Sequence, residues 1–159
     1  MIVVSDTSAI TNLWQIQRLD LLEQLFQEVI IPPAVEAELF RIPNQKQAIG
    51  RLYWLKTQAP TNLSAVQQLL TQLDAGESEA ITLAAELKAD YLLIDEMTGR
   101  SIAQQRGLKV TGVLGVLMMA KQQRLIEAVK PLMDALQQQA RFFIHQRLYD
   151  EVLKLAEEQ

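Results

Sequence analysis

The sequence predicts an α/β fold: a three-layer sandwich with a central, mainly parallel sheet of four to five strands flanked by helices. Three observations predict it. Ile2-Val3-Val4 and Tyr91-Leu92-Leu93-Ile94 are continuous apolar runs, the pattern of strands buried on both faces, not the alternation of a strand with one wet face. Each run ends abruptly on acids, Asp6 within Ser5-Asp6-Thr7-Ser8 and then Asp95-Glu96. Strand-like and helix-like stretches alternate with short connections, the rhythm of right-handed parallel crossovers.

Composition narrows the class. The 159 residues are 49% hydrophobic and 21% charged, enough to bury a full core without staples, and residues 1–159 read as a single domain. The lack of cysteine excludes a disulfide framework, a thiolate nucleophile and a zinc finger. No apolar run approaches the roughly 18 to 20 residues of a membrane span, and a signal-peptide layout is missing, so the sequence reads as cytoplasmic with no membrane partner. A net charge of -4 argues against gripping nucleic acid by bulk positive field. It leaves room for a metal-dependent nuclease, whose acidic site carries negative charge and whose cations meet the phosphates.

Along the chain, Thr7 and Ser8 are placed to cap a helix from Ala9 to Gln17, and Leu19, Leu21, Leu22, Leu25 and Phe26 continue the spacing in a second short helix. Val29-Ile30-Ile31 reads as the second buried strand. Pro32-Pro33 ends it and suits the first turn of a helix reaching Phe40, in which Glu36 and Glu38 point in different directions, so that one of them is solvated. Residues 41–60 read as irregular around a short strand at Tyr53-Trp54-Leu55. Arg41, Lys46, Arg51 and Lys56 make this the most basic segment, either a solvated loop or a flap that meets a polyanion.

Val66, Leu69, Leu70 and Leu73 form an amphipathic helix that stops at Asp74-Ala75-Gly76. Glu77 and Glu79 then open a long helix, where first-turn acids complement the dipole. Beyond Asp95-Glu96 comes a helix with Met97, Ile102 and Ala103 inward, Gly107 as its cap, and a fourth strand at residues 108–111. The chain is helical from Leu117 to Leu136, with a break near Lys130-Pro131, and a last helix runs from about His145 to Glu158. Phe142-Phe143-Ile144 either docks on the sheet edge or meets a partner, and the helices from about residue 113 are the expected interface.

Four places therefore offer acids that a parallel sheet brings to one edge: Asp6, Glu38, Glu77 and Asp95. Strand carboxyl ends and the amino ends of the helices that follow them share that edge. Carboxylates gathered there repel, which raises at least one pKa in the metal-free fold, and a divalent cation removes the strain. Oxygen-only ligands favour Mg²⁺ or Mn²⁺ over zinc, since the one histidine, His145, lies far along the chain beside an apolar patch. With no serine-histidine pair and no phosphate-cradling glycine motif, metal-assisted hydrolysis of a phosphodiester is the best supported chemistry. Thr7 or Ser8 would orient a ligand or the water.

The motifs Val4-Ser5-Asp6-Thr7-Ser8 with Asn12, the run from Ile31 to Leu39, Gly76-Glu77-Ser78-Glu79-Ala80-Ile81, and Leu93-Ile94-Asp95-Glu96 with Gly99-Arg100 and the run from Gly107 to Gly112 form an ordered set across nearly the whole chain. That set resembles the PIN-domain family, in particular a prokaryotic branch of small PIN-like proteins related to the VapC toxins of toxin-antitoxin pairs. The resemblance implies an acidic site for Mg²⁺ or Mn²⁺ and endoribonuclease activity on single-stranded RNA. It carries the metal-site acids onto Asp6, Glu38, Glu77 and Asp95 and the family's common hydroxyl onto Ser8. Glu79 and Glu96 stand close enough in sequence to compete for the roles of Glu77 and Asp95, and Ile94 stands where many members have threonine or serine. The partners it implies are single-stranded RNA, a small antitoxin and a second copy in a homodimer. An alternative keeps the fold but makes it an RNA- or protein-binding module. A phosphoacceptor receiver fits worse, because Ser5-Asp6-Thr7 supplies one acid where a pair is needed and Thr111-Gly112 supplies no lysine.

Overall fold

A computed structural model describes residues 1–159. Five short strands, β1 (Val3–Ser5), β2 (Val29–Ile31), β3 (Leu55–Thr57), β4 (Tyr91–Leu93) and β5 (Val110–Thr111), form one sheet in the order β3-β2-β1-β4-β5. Every pairing is parallel, with Val4 opposite Ile30 on one side and Leu92 on the other. From β1 the chain builds outward through β2 and β3, then returns to the other side of β1 as β4. The order thus reverses between β1 and β4, and the crevice outside the carboxyl ends of those two strands is where such sheets hold ligands.

Ten helices cover the sheet: α1 (Thr7–Gln15), α2 (Asp20–Phe26), α3 (Pro33–Arg41), α4 (Gln45–Gly50), α5 (Leu63–Leu69), α6 (Ala75–Leu87), α7 (Met97–Gln105), α8 (Val113–Gln122), α9 (Lys130–Gln138) and α10 (Gln146–Leu155). Strand side chains alternate between the two faces, and both faces are covered at the central strands β1, β2 and β4. Val3, Ile31 and Leu93 join a core built with α1, α2, α8 and α9, whereas Val4, Leu92 and Ile94 pack on α6 and α7. The three layers follow from that division. No helix is long and apolar enough to cross a membrane.

Several local expectations are corrected. Helix α1 starts at Thr7, with Asp6 in the N-cap position, so Thr7 and Ser8 lie inside the helix and do not cap it. Residues 41–60 contain a helix, α4, entered through Asn44 in the left-handed region at φ 69°, which the Pro43-Asn44 pair had concealed. The strand there lies two residues later than expected because Trp54 is buried in the core and Leu55 to Thr57 pair with β2. Glu36 is not simply solvated: Thr57 Oγ1 donates to it at 2.5 Å. Met97 is 82% exposed; the buried residues of α7 are Gly99 and Ala103. The interruption near the C-terminus spans residues 123–129, and Pro131 lies in the first turn of α9, where its missing N–H costs nothing.

Candidate functional site

Asp6 leaves the carboxyl end of β1 with its backbone fixed, its N–H donating to the Leu93 carbonyl of β4 at 2.9 Å. It stands in the N-cap position of α1, yet its carboxylate makes no capping bond to that helix. The side chain is free to face a cleft of about 640 Å³. Asp95, just beyond β4, reaches the same cleft, as does Glu38 from α3. Glu77 arrives from the first turn of α6 and Glu96 from the head of α7. A sixth acid, Asp74, completes the rim. No lysine or arginine lines this cleft.

Glycines let the acids approach. A Cβ on Gly76 would stand 2.8 Å from Glu38 Oε1 and 3.3 Å from Asp6 Oδ1, so a side chain there would push the Glu38 carboxylate from its place. Gly112 serves Asp95 in the same way, because a Cβ there would overlap Asp95 Oδ1. That oxygen instead accepts the Val113 N–H at the head of α8, at 3.0 Å.

Hydroxyls hold the outer ends. Thr7 Oγ1 donates to Glu38 Oε2 at 2.7 Å, and Ser8 Oγ donates to Asp95 Oδ2 at 3.4 Å. The two residues that do not cap α1 thus orient two of the acids, as partners behind a metal ligand do.

The cluster is electrostatically uneasy. Asp6 is 7% exposed, and its pKa is pushed up to about 7, first by burial and then by the charges of Asp74, Glu38 and Asp95, opposed by the nearby Thr7 backbone N–H. Glu77, 6% exposed, is raised too, by burial and then by Asp74. Asp95 is raised by burial, with Val113, Arg100 and Ser8 opposing the shift. Glu96 is lowered, chiefly by the Gly99 N–H that its capping carboxylate accepts and then by the nearby Thr98 N–H. Glu77 Oε2 is buried with no hydrogen-bond partner.

The donors fit Mg²⁺ or Mn²⁺ in kind: all oxygen, mostly carboxylate, one of them orphaned. No three of the acids are drawn together into a ready-made ligand set, so the fit is one of donor chemistry. The two alternates named from sequence go different ways. Glu79 turns from the cleft, and its Oε1 accepts the Ala34 N–H at the head of α3 at 3.1 Å. Glu96 lies on the cleft but is engaged by the Gly99 N–H at 2.7 Å. His145 caps α10, its Nδ1 accepting the Arg147 N–H.

Sequence reasoning missed Asp74, which it read only as a helix stop. The spacing Asp74-x-x-Glu77 was the available signal, since an acid three residues before a glutamate is a capping-box pattern, and that box is formed here. Phe142, also on the cleft, was legible only as part of an apolar patch.

Fold and site together define a doubly wound α/β protein with a carboxylate cluster at the switch point of its sheet. The chain belongs to the PIN-domain family: a family model described as a PIN domain matches residues 2–158. PIN domains are in general nucleases that use divalent metal ions. No curated protein matches the chain.

Proposed function

We propose that this protein is a Mg²⁺- or Mn²⁺-dependent endoribonuclease that hydrolyses phosphodiesters of single-stranded RNA. The observation that carries the reading is the cleft itself, which six carboxylates from four parts of the chain line with no lysine or arginine among them. A structural role leaves that arrangement unexplained, because buried acids that raise one another's pKa destabilise the metal-free fold. Membership of a nuclease family supports the same chemistry.

In this reading Asp6, Glu38, Glu77 and Asp95 hold the ions. Divalent ions there supply a nucleophile at neutral pH and charge stabilisation for the departing oxygen. Ser8 keeps Asp95 oriented and Thr7 does the same for Glu38. Asp74 fixes Glu77 through the helix cap and adds negative potential. The family resemblance extends the proposal to a cytoplasmic toxin restrained by a small antitoxin and acting as a homodimer.

The test is cleavage of a single-stranded RNA with Mn²⁺ by the wild type and by Asp6→Asn. The wild type should cut and the variant should lose about 10² to 10³ in rate while keeping its fold, the scale of losing a charge-stabilising group. Wild-type protein that binds RNA yet leaves it intact with either metal would assign the binding-module role instead.

A further inference from the structure

Phe142 belongs to two clefts at once. It walls one side of the acidic cleft and also lines a neighbouring cleft of about 340 Å³ that holds Arg100, Thr111 and Leu148. Asp95 is the other residue common to both, so the two spaces meet at a carboxylate and an aromatic ring. Arg100 is the one cation lining either cleft. Its Nη1 donates to the Ile94 carbonyl at 2.9 Å, which holds the guanidinium at the end of β4, and no other hydrogen bond to the protein engages it.

The backbone that carries this half-buried ring, which packs in part on the core, is fixed on both sides. The Phe142 N–H donates to the Leu136 carbonyl at 2.9 Å, Arg141 before it takes the left-handed conformation at φ 53°, and Ile144 after it is buried in the core. Phe143, between those anchors, is 81% exposed. The backbone therefore fixes which of the two phenylalanines faces the site.

We propose that the smaller cleft is a nucleotide subsite beside the cut, in which the base of one single-stranded nucleotide stacks on Phe142 while Arg100 pairs with its phosphate. This rests on the ribonuclease reading and adds the path of the strand. Six carboxylates repel a phosphodiester, so a strand entering the acidic cleft needs counter-charge beyond the ions, and Arg100 is the side chain able to supply it. A base splayed from a single strand presents a π-face to an aromatic ring whatever its sequence. The volume falls at the lower end of the ~300 to 1,000 Å³ typical of small-molecule sites.

The experiment uses the Mn²⁺-loaded protein and a short RNA with one cleavage position, intact or carrying an abasic nucleotide on either side of the cut. Phe142→Ala and Phe142→Leu should raise KM about 5- to 150-fold on intact RNA, the loss of one stacked base, while Phe142→Trp keeps the wild-type value. The wild type should lose a similar factor on one of the two abasic RNAs, and Phe142→Ala should lose nothing further on it. Arg100→Gln should raise KM and lower the salt slope by about one phosphate's worth. The melting temperature of Phe142→Leu should match the wild type, which separates stacking from packing. If Phe142→Leu and both abasic RNAs leave KM unchanged, or if the two losses multiply, the subsite is overturned while the ribonuclease reading stands. A wild type that neither binds nor cuts RNA removes both.

Discussion

Asp74 and Glu77 cap one helix end reciprocally: Asp74 Oδ1 accepts the Glu77 N–H at 2.8 Å, and Glu77 Oε1 accepts the Asp74 N–H at 3.3 Å. The cap satisfies two amides at the head of α6 and also sets two negative charges side by side. Among the neighbouring charges, Asp74 is the largest contributor to the raised pKa of both Asp6 and Glu77. One residue thus stabilises a helix and strains the site.

The two effects separate by substitution. Asp74→Ala loses the cap and should cost about 1 kcal/mol, partly offset by the relieved repulsion. Asp74→Asn keeps an oxygen acceptor and removes the charge, so the metal-free protein should melt at or above the wild-type temperature while Mn²⁺ affinity falls. Thermal melts and Mn²⁺ titration of the pair check this; a lower melting temperature for Asp74→Asn than for Asp74→Ala would contradict the cap.

Stability should depend on pH with a definite sign. Asp6 has an ordinary pKa of 3.8 and a folded value of about 7, so between those values the folded state holds a proton that the unfolded chain has released. Stability of the metal-free protein therefore falls as pH rises through that window, and Glu77, also raised, deepens the fall. Mg²⁺ or Mn²⁺ should flatten the dependence by binding the deprotonated acids of the folded state. Melting temperatures at several pH values measure it, and Asp6→Asn should remove much of the slope.

Gly112→Ala should displace Asp95, because the added Cβ would occupy the place of its Oδ1. Overpacking of this kind costs about 1 to 3 kcal/mol, and the loss of Asp95 from the cleft should abolish cleavage. The same substitution at Gly50, where a Cβ meets nothing within 4 Å, is the control and should leave activity intact.

Thr7→Val and Ser8→Ala should leave the fold in place and weaken metal affinity or activity by about 10- to 100-fold, the scale for partners that orient metal ligands. Mn²⁺ titration with the cleavage assay reads both. Full activity in Ser8→Ala would remove Ser8 from the site.

The strands and the edge they share were legible because burial on both faces forces continuous apolar runs, and because β1 and β4 both end on acids. Asp6, Glu38, Glu77 and Asp95 could be grouped from that topology, and all four line the one cleft, although no three of them are drawn into a ready-made ligand set. Asp74 was not legible, since a short acid before Ala-Gly is read as a helix boundary until the helix direction and the cap are known. Thr7 and Ser8 were legible both as caps and as groups that orient a ligand, and local sequence could not choose between the two; only the tertiary fold sets Glu38, 31 residues on, against Thr7. Met97 failed for the opposite reason: hydrophobicity says nothing about which side of a first turn faces water. Glu79 shows the limit of spacing, for two residues beyond Glu77 on a helix its carboxylate points to another element, the head of α3.

The most direct measurement is a crystal structure of the protein grown or soaked with Mn²⁺ and recorded at the manganese absorption edge. The account predicts anomalous density for one or two ions in the cleft, ligated by carboxylates drawn from Asp6, Glu38, Glu77 and Asp95. A cleft without manganese at saturating concentration, or ions held only at other acids on the surface, would contradict it.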